Sequence, residues 1–320
     1  MSVAFIFPGQ GSQAVGMGKA LADAFASSRA VFAEVDAALG EKLSKILWEG
    51  PSETLTLTEN AQPGLMAVSL AAMRALETEA GVKLERDAAF VAGHSLGEYS
   101  ALAAAGSLTI SAAARLLRIR GRAMQRAVAV GAGAMAALIG LELEAAAAVA
   151  AEAAENQVCE VANDNGGGQV VVSGDKAAVE RAIAIAKARG AKRALLLPVS
   201  APFHCALMRP AAEAMAEALG DATLKPPVVP LVCNVTARPA TAPDDIVRRL
   251  IEQVTGTVRW RESVTFMASS GVRTFYEVGA GKVLSGLVRR IADSAVGIAV
   301  GTPADVSALQ AGRKALTATI

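Results

Sequence analysis

Ala88-Ala89-Phe90-Val91-Ala92-Gly93-His94-Ser95-Leu96-Gly97-Glu98 is the stretch on which the reading of this chain turns. Five apolar residues form a short run of the buried-strand kind, and a turn with two glycines stops it. From Glu98 to Ala105 the pattern is helical. Strand, tight turn and helix in succession indicate an α/β layer with a mostly parallel sheet. The turn itself, Gly93-His94-Ser95-Leu96-Gly97, fits G-x-S-x-G, the nucleophile elbow. Such a hairpin strains the serine backbone and exposes its Oγ. The glycines let neighbouring backbone come close, and the next N–H, that of Leu96, is placed to donate to an oxyanion. In a chain with 29 glycines the five-residue pattern arises easily by chance, so the flanking strand and helix are what give it weight.

A nucleophilic serine needs a base, and the chain has only two histidines, His94 and His204. His94 is adjacent to Ser95, and neighbouring side chains around an elbow diverge. His204, in Ser200-Ala201-Pro202-Phe203-His204-Cys205, is the remaining imidazole. Arg115, Arg118, Arg120, Arg122 and Arg126 lie on the helix after the elbow helix. One of them is a candidate for a bidentate carboxylate fork, and the residue pattern does not choose among them.

Working outward, Val3 to Phe7 reads as a buried strand ended by Pro8-Gly9. Residues 17–40 and Pro63 to Glu79 read as helices, and Ser111 to Arg126 as a basic helix. Between about residues 128 and 199 the order becomes strand (Met135 to Leu141), helix (Glu142 to Glu155), strand (Val158 to Ala162), strand (Gln169 to Ser173), helix (Lys176 to Ala188) and strand (Arg193 to Pro198). That is the split βαβ, ferredoxin-like unit. The expected architecture is therefore α/β. A large α/β-hydrolase-like domain with a parallel sheet spans 1–127 and 200–320, and a small inserted ferredoxin-like α+β domain spans 128–199. His204 falls at the crossing between them, where clefts tend to form. After the insertion, Met208 to Leu219 and Asp244 to Thr255 read as helices, and Val228 to Cys233 and Arg273 to Val278 as strands.

Composition removes several classes of function. Hydrophobic residues make up 53% of the 320, largely alanine, and aromatic ones only 4%, which suits closely packed helices and excludes disorder. A mean hydropathy of +0.39 invites a membrane reading. The apolar stretch Leu138 to Ala154 carries Glu142, Glu144 and Glu152, which are costly in a bilayer, and the N-terminal run lacks the basic region and length of a signal peptide. Thirty-one basic residues balance thirty acidic ones, against a nucleic-acid binder. Cys159, Cys205 and Cys233 are too scattered for a disulfide framework or zinc site. Gly9-Gln10-Gly11-Ser12-Gln13 lacks the third glycine of G-x-G-x-x-G, and Gly281-Lys282-Val283 lacks the serine or threonine of a P-loop, so neither predicts a nucleotide. Gln10 still stands at a strand terminus, where sheet enzymes collect polar groups. The expectation is a cytoplasmic protein with no cofactor, no metal, no nucleic acid and no membrane.

Five motifs occur in order: Phe7-Pro8-Gly9-Gln10-Gly11-Ser12-Gln13, Gly93-His94-Ser95-Leu96-Gly97-Glu98-Tyr99, Arg120-Gly121-Arg122-Ala123-Met124-Gln125, Pro202-Phe203-His204 and Gly281-Lys282-Val283-Leu284. Together they closely resemble the malonyl-CoA:acyl carrier protein transacylases of bacterial fatty acid synthesis and the acyltransferase domains of polyketide synthases. The resemblance runs from about residue 3 to beyond 290. It implies Ser95 as the nucleophile, His204 as its base, the N–H groups of Gln10 and Leu96 as the oxyanion hole, and Arg120 as the clamp for the free malonyl carboxylate. It further implies that the main-chain carbonyl of Gln253 orients the histidine and that Met135 lies near the acyl pocket. Phe203, before the histidine, would disfavour an α-branched acyl group. Ala280 replaces a common proline of the family.

The implied partners are malonyl-CoA and holo acyl carrier protein, the implied state a monomer, and the CoA thioester is a substrate rather than a cofactor. Lys187, Arg189, Lys192 and Arg193 are candidates for a local patch that meets an acidic carrier, with Lys192 and Arg193 at its centre. A solvated helix end is the plainer reading of that charge run. A discrete acyltransferase for a polyketide synthase, a serine esterase or thioesterase, and a non-catalytic scaffold are the alternatives.

Overall fold

The computed structural model describes residues 2–317, which hold ten strands. In chain order these are β1 (Ser2–Phe7), β2 (Phe90–Gly93), β3 (Gly133–Ile139), β4 (Cys159–Asp164), β5 (Gln169–Asp175), β6 (Arg193–Leu196), β7 (Leu231–Cys233), β8 (Arg238–Ala240), β9 (Val272–Val278) and β10 (Val296–Val300). They form two sheets. The larger runs β10-β9-β1-β2-β7-β8 and is parallel except for its last pair, β7 with β8. The smaller runs β4-β5-β3-β6 and is antiparallel throughout.

The apolar run at residues 3–7 sits at the centre of the larger sheet because both of its faces are covered. Phe5 and Phe7 point into the core beneath the helix Thr58–Ala80, and Ala4 and Ile6 into a second core with Trp260 and Phe275. That two-sided burial explains a strand written as a continuous apolar run instead of an alternation. Each fully buried phenylalanine contributes about 1.5–3 kcal/mol over leaving it exposed.

In the smaller sheet β5 lies between β3 and β4, which the helix Leu143–Ala154 connects, so the βαβ is split. One face, with Ala136, Leu138, Val170 and Val172, packs on the helices Leu143–Ala154 and Lys176–Ala188. The alternate residues Met135 and Val171 face the other way and join the large core. β4 ties the smaller sheet to the segment that enters the helix Trp260–Ser269. There the Asp164 N–H donates to the Val258 carbonyl at 3.0 Å, the Val258 N–H donates to the Ala162 carbonyl at 2.9 Å, and Arg261 Nε donates to Asp164 Oδ2 at 2.8 Å.

Two helices differ from their sequence reading. Residues 17–40 break at Phe25, whose extended backbone (φ −124°, ψ 125°) separates Lys19–Ala24 from Ala26–Leu39 and seats the ring partly in the core. The helix expected to open at Pro63 instead begins at Thr58, with Pro63 in its second turn. Tertiary hydrogen bonds hold the added turn: Thr58 Oγ1 donates to Gln10 at 2.8 Å, and Asn60 Oδ1 accepts from Arg118 at 2.7 Å. The helix Trp260–Ser269 and the edge strands β8 and β10 escaped the sequence reading altogether. No helix among the described residues is long and apolar enough to cross a membrane.

Candidate active site

β2 ends at Gly93, and Ser95 follows with φ 54°, in the left-handed region that costs a residue with a side chain about 1–2 kcal/mol. Backbone crowding dictates the glycines on either side. A Cβ on Gly97 would lie 2.3 Å from the Phe7 carbonyl oxygen, and one on Gly93 would lie 1.9 Å from the Gly97 carbonyl carbon. Side chains hold the strained residue from both ends. Asn234 Oδ1 accepts the Ser95 N–H at 2.8 Å, and Gln253 Nε2 donates to the Ser95 carbonyl at 2.9 Å.

Ser95 Oγ stands 2.7 Å from His204 Nε2. His204 Nδ1 stands 2.8 Å from the backbone carbonyl of Gln253. A carbonyl can only accept, so Nδ1 carries the proton and the Nε2 lone pair faces the serine hydroxyl. His204 is itself left-handed, with φ 60°. Burial pushes its pKa down to about 3, with the Arg120 guanidinium acting in the same direction, so the ring is neutral at physiological pH. His94 turns away from the serine. Its Nε2 lies 2.9 Å from Asn165 Oδ1 and its ring 5.7 Å from that of Trp260.

Arg120, 1% exposed, projects from the helix Ile110–Ala127 to the same serine. Its Nη2 donates to Ser95 Oγ at 3.1 Å and to Gln253 Oε1 at 2.8 Å, and its Nη1 donates to Gln62 Oε1 at 2.7 Å. The other arginines of that helix go elsewhere. Arg118 engages Asn60 and Glu41, and Arg122 pairs with Glu59 on the surface. Tertiary position therefore singles out one guanidinium among the five.

Ser95, His204 and Arg120 line a cleft of about 470 Å³ between the sheets, together with Gln10, Leu96, Met135, Phe203, Gln62, Met124 and Asn163. The backbone N–H groups of Gln10 and Leu96 have no hydrogen-bond partner among the described residues, as an oxyanion site requires. Met135 and Phe203 supply apolar wall, 3% and 8% exposed. Ser95, His204, Gln10, Leu96, Arg120, Met135, Phe203 and Gln253 are thus brought together. Lys192 and Arg193 are not: they sit on the surface at the start of β6, outside the cleft lining. Of the rest of that charge run, Arg189 is engaged with Glu152.

Sequence reasoning missed Gln62, Glu98, Asn165 and Asn234. Asn234 follows β7 at a strand carboxyl end, a position where polar residues merit attention in α/β sheets. Glu98 follows the elbow directly, an odd place for a carboxyl that is 1% exposed.

The acyl transferase domain family matches residues 4–308. The malonyl CoA-acyl carrier protein transacylase of Escherichia coli strain K12 is 48% identical over 305 residues, 95% of this chain and 97% of that protein. The crystal structure of an acyl-carrier-protein-S-malonyltransferase from Bartonella henselae is similar with a TM-score of 0.95 at 54% identity, covering 98% of this chain and all of that one. A malonyl-transacylase solved in complex with its type II PKS acyl-carrier protein gives a TM-score of 0.94 at 42% identity, over 98% of this chain and 100% of that one. Because the match runs through both sheets and the cleft between them, the chain belongs to the acyl transferase domain family.

Proposed function

We propose that the protein moves a malonyl group from malonyl-CoA to the phosphopantetheine thiol of acyl carrier protein, supplying fatty acid synthesis. The observation that carries this reading is the meeting of three groups at one oxygen. Ser95 Oγ has the neutral His204 Nε2 at 2.7 Å and the Arg120 Nη2 at 3.1 Å, inside a cleft with an apolar wall. Relatives named as transacylases and malonyltransferases support the substrate pair.

Ser95 Oγ attacks the thioester carbonyl while His204 Nε2 takes its proton. The N–H groups of Gln10 and Leu96 meet the resulting oxyanion. One such donor is worth about 10²–10³ in rate in better-studied enzymes. The C–S bond then breaks, and His204 returns the proton to the departing CoA thiol. The carrier thiol repeats the sequence on the malonyl ester and regenerates the serine, so the kinetics are ping-pong. The backbone carbonyl of Gln253 takes the orienting place that a carboxylate occupies in the serine triad.

In this reading Arg120 pairs with the free carboxylate of the acyl group, and Met135 and Phe203 shape the pocket around its methylene. The division into a catalytic part (1–127 with 200–320) and a smaller part (128–199) that closes the cleft belongs to the same proposal. So do a surface patch at Lys192 and Arg193 for the carrier, a monomeric state and a cytoplasmic location. The chemistry comes from serine, histidine and backbone donors and calls for no resident cofactor.

Intact mass after mixing with malonyl-CoA, with and without holo carrier protein, tests the reading. The expected result is a malonyl adduct on Ser95 that carrier thiol discharges and water does not. Rapid release of free malonate indicates a hydrolase, and absence of any adduct a non-catalytic protein.

A further inference from the structure

Glu98 is a carboxyl buried to 1% exposure in the first turn of the helix Gly97–Ala104, and the transfer steps above do not use it. Its Oε1 accepts the Asn234 N–H at 2.7 Å, and its Oε2 accepts from the Gln253 Nε2 amide. Both residues it anchors reach back to the elbow. Asn234 Oδ1 takes the Ser95 N–H, and Asn234 Nδ2 donates to the Gly93 carbonyl at 2.7 Å. Gln253 Nε2 also donates to the Ser95 carbonyl, and Gln253 Oε1 takes the Arg120 guanidinium.

A carboxamide has one donor end and one acceptor end, so its orientation decides what each neighbour meets. Glu98 presents acceptors to both Asn234 and Gln253. That draws the NH₂ end of Gln253 toward Glu98 and Ser95 and leaves its oxygen for Arg120. A donor in place of either Glu98 oxygen breaks this order. Set against Gln253, it turns the amide round, facing oxygen to the Ser95 carbonyl and NH₂ to the guanidinium. Both contacts are then repulsive, in a site too dry for water to relieve them.

We propose that Glu98 is a positioning residue for acyl transfer: by accepting at both oxygens it sets the direction of the Gln253 amide, and through it the aim of Arg120 and the backbone of Ser95. Burial raises the Glu98 carboxyl to about 8, against the Asn234 and Gln253 donors and the nearby Arg120, which favour the ionised form, so the doubly accepting carboxylate is the form present above about pH 8, where the variants are compared. Two acceptor contacts are what a carboxylate makes. The inference rests on the malonyl-transfer reading and deepens it.

Two variants separate polarity from shape. Glu98→Gln keeps the shape and introduces a donor, whereas Glu98→Asp keeps both acceptors and shortens the arm. The readout is the rate of Ser95 acylation by malonyl-CoA relative to acetyl-CoA, with melting temperature measured alongside. Glu98→Gln is expected to lose about tenfold or more of the malonyl preference, the scale of one mispaired buried hydrogen bond, and Glu98→Asp to retain more of it. A purely packing role ranks them the other way, with Gln near wild type and Asp impaired, and that ranking overturns the proposal.

Should Glu98→Gln fail to fold, Gln253→Met removes the same amide while keeping the carbonyl that holds His204. Unchanged preference in that variant also overturns the proposal. Wild-type protein run in parallel keeps the two readings apart. No malonyl adduct on wild type defeats malonyl transfer itself, while a normal wild type beside an unaffected Glu98→Gln defeats only the positioning role.

Discussion

Arg120→Ala should turn a malonyl-selective enzyme into one that hardly distinguishes malonyl from acetyl. The guanidinium is 1% exposed, so a carboxylate reaching it forms an ion pair in a largely water-free setting. Its Nη2 edge already lies 3.1 Å from Ser95 Oγ, close enough that an acyl group carried on that oxygen brings its own carboxylate within reach. Removing one partner of a buried pair costs about 3–5 kcal/mol, which at 1.36 kcal/mol per decade is roughly 10²–10⁴ in kcat/KM for malonyl-CoA.

Part of the damage is common to every substrate. Gln62 Oε1 and Gln253 Oε1 both lose the donor that Arg120 supplies, and each buried acceptor left alone costs about 1–3 kcal/mol. That shared loss cancels in the malonyl-to-acetyl ratio, which is therefore the quantity to measure. Quenched-flow acylation of Ser95 by each thioester, read by intact mass, supplies it. A ratio that falls by about 10²–10⁴ bears out the ion pair. An unchanged ratio, with both rates reduced alike, refutes it and leaves Arg120 as scaffolding for Gln62 and Gln253.

Two further predictions concern pH and docking. His204 is held down to about 3, so the base is neutral at pH 5 as well as at pH 8. Ser95 acylation should therefore lack the limb near 6.5 that an ordinary histidine gives, any bend falling near 8 with Glu98, and a limb near 6.5 would refute the burial argument. Stability has the matching sign. Below about 6.5 the unfolded chain binds a proton that the folded histidine refuses until about 3. His204 therefore contributes a loss of up to about 1.4 kcal/mol per pH unit across that window, read as the difference in urea stability slope between wild type and His204→Gln. Charge reversal at Lys192 and Arg193 should raise the apparent KM for carrier protein several-fold at low salt and leave the malonyl-CoA half-reaction untouched. A KM that does not move removes that patch from the account.

Much of this protein could be read from one dimension. The elbow announced itself because crowding at Gly93 and Gly97 admits only glycine, and such steric demands are local in the chain. The scarcity of imidazole pointed to His204, and the change from apolar runs to a split βαβ grammar marked off the smaller sheet, since side-chain periodicity follows backbone geometry directly. Where local propensity and packing disagreed, the reading slipped. Phe25 interrupts a helical stretch to place its ring, and the helix with Pro63 begins five residues early because Gln10 and Arg118 hold its first turn.

What no stretch of sequence could reveal is the company Ser95 keeps. Arg120 differs from its four neighbours on the same helix only in the direction it faces, and Gln62, Asn234, Gln253 and Glu98 come from four separate segments. Their donors and acceptors form one consistent circuit only when those segments meet. Hydrogen-bond direction between residues over a hundred positions apart leaves no periodic trace in the chain. The serine, its turn and its sheet were therefore legible in the sequence, whereas the polarity and aim of the site were decided by tertiary structure alone.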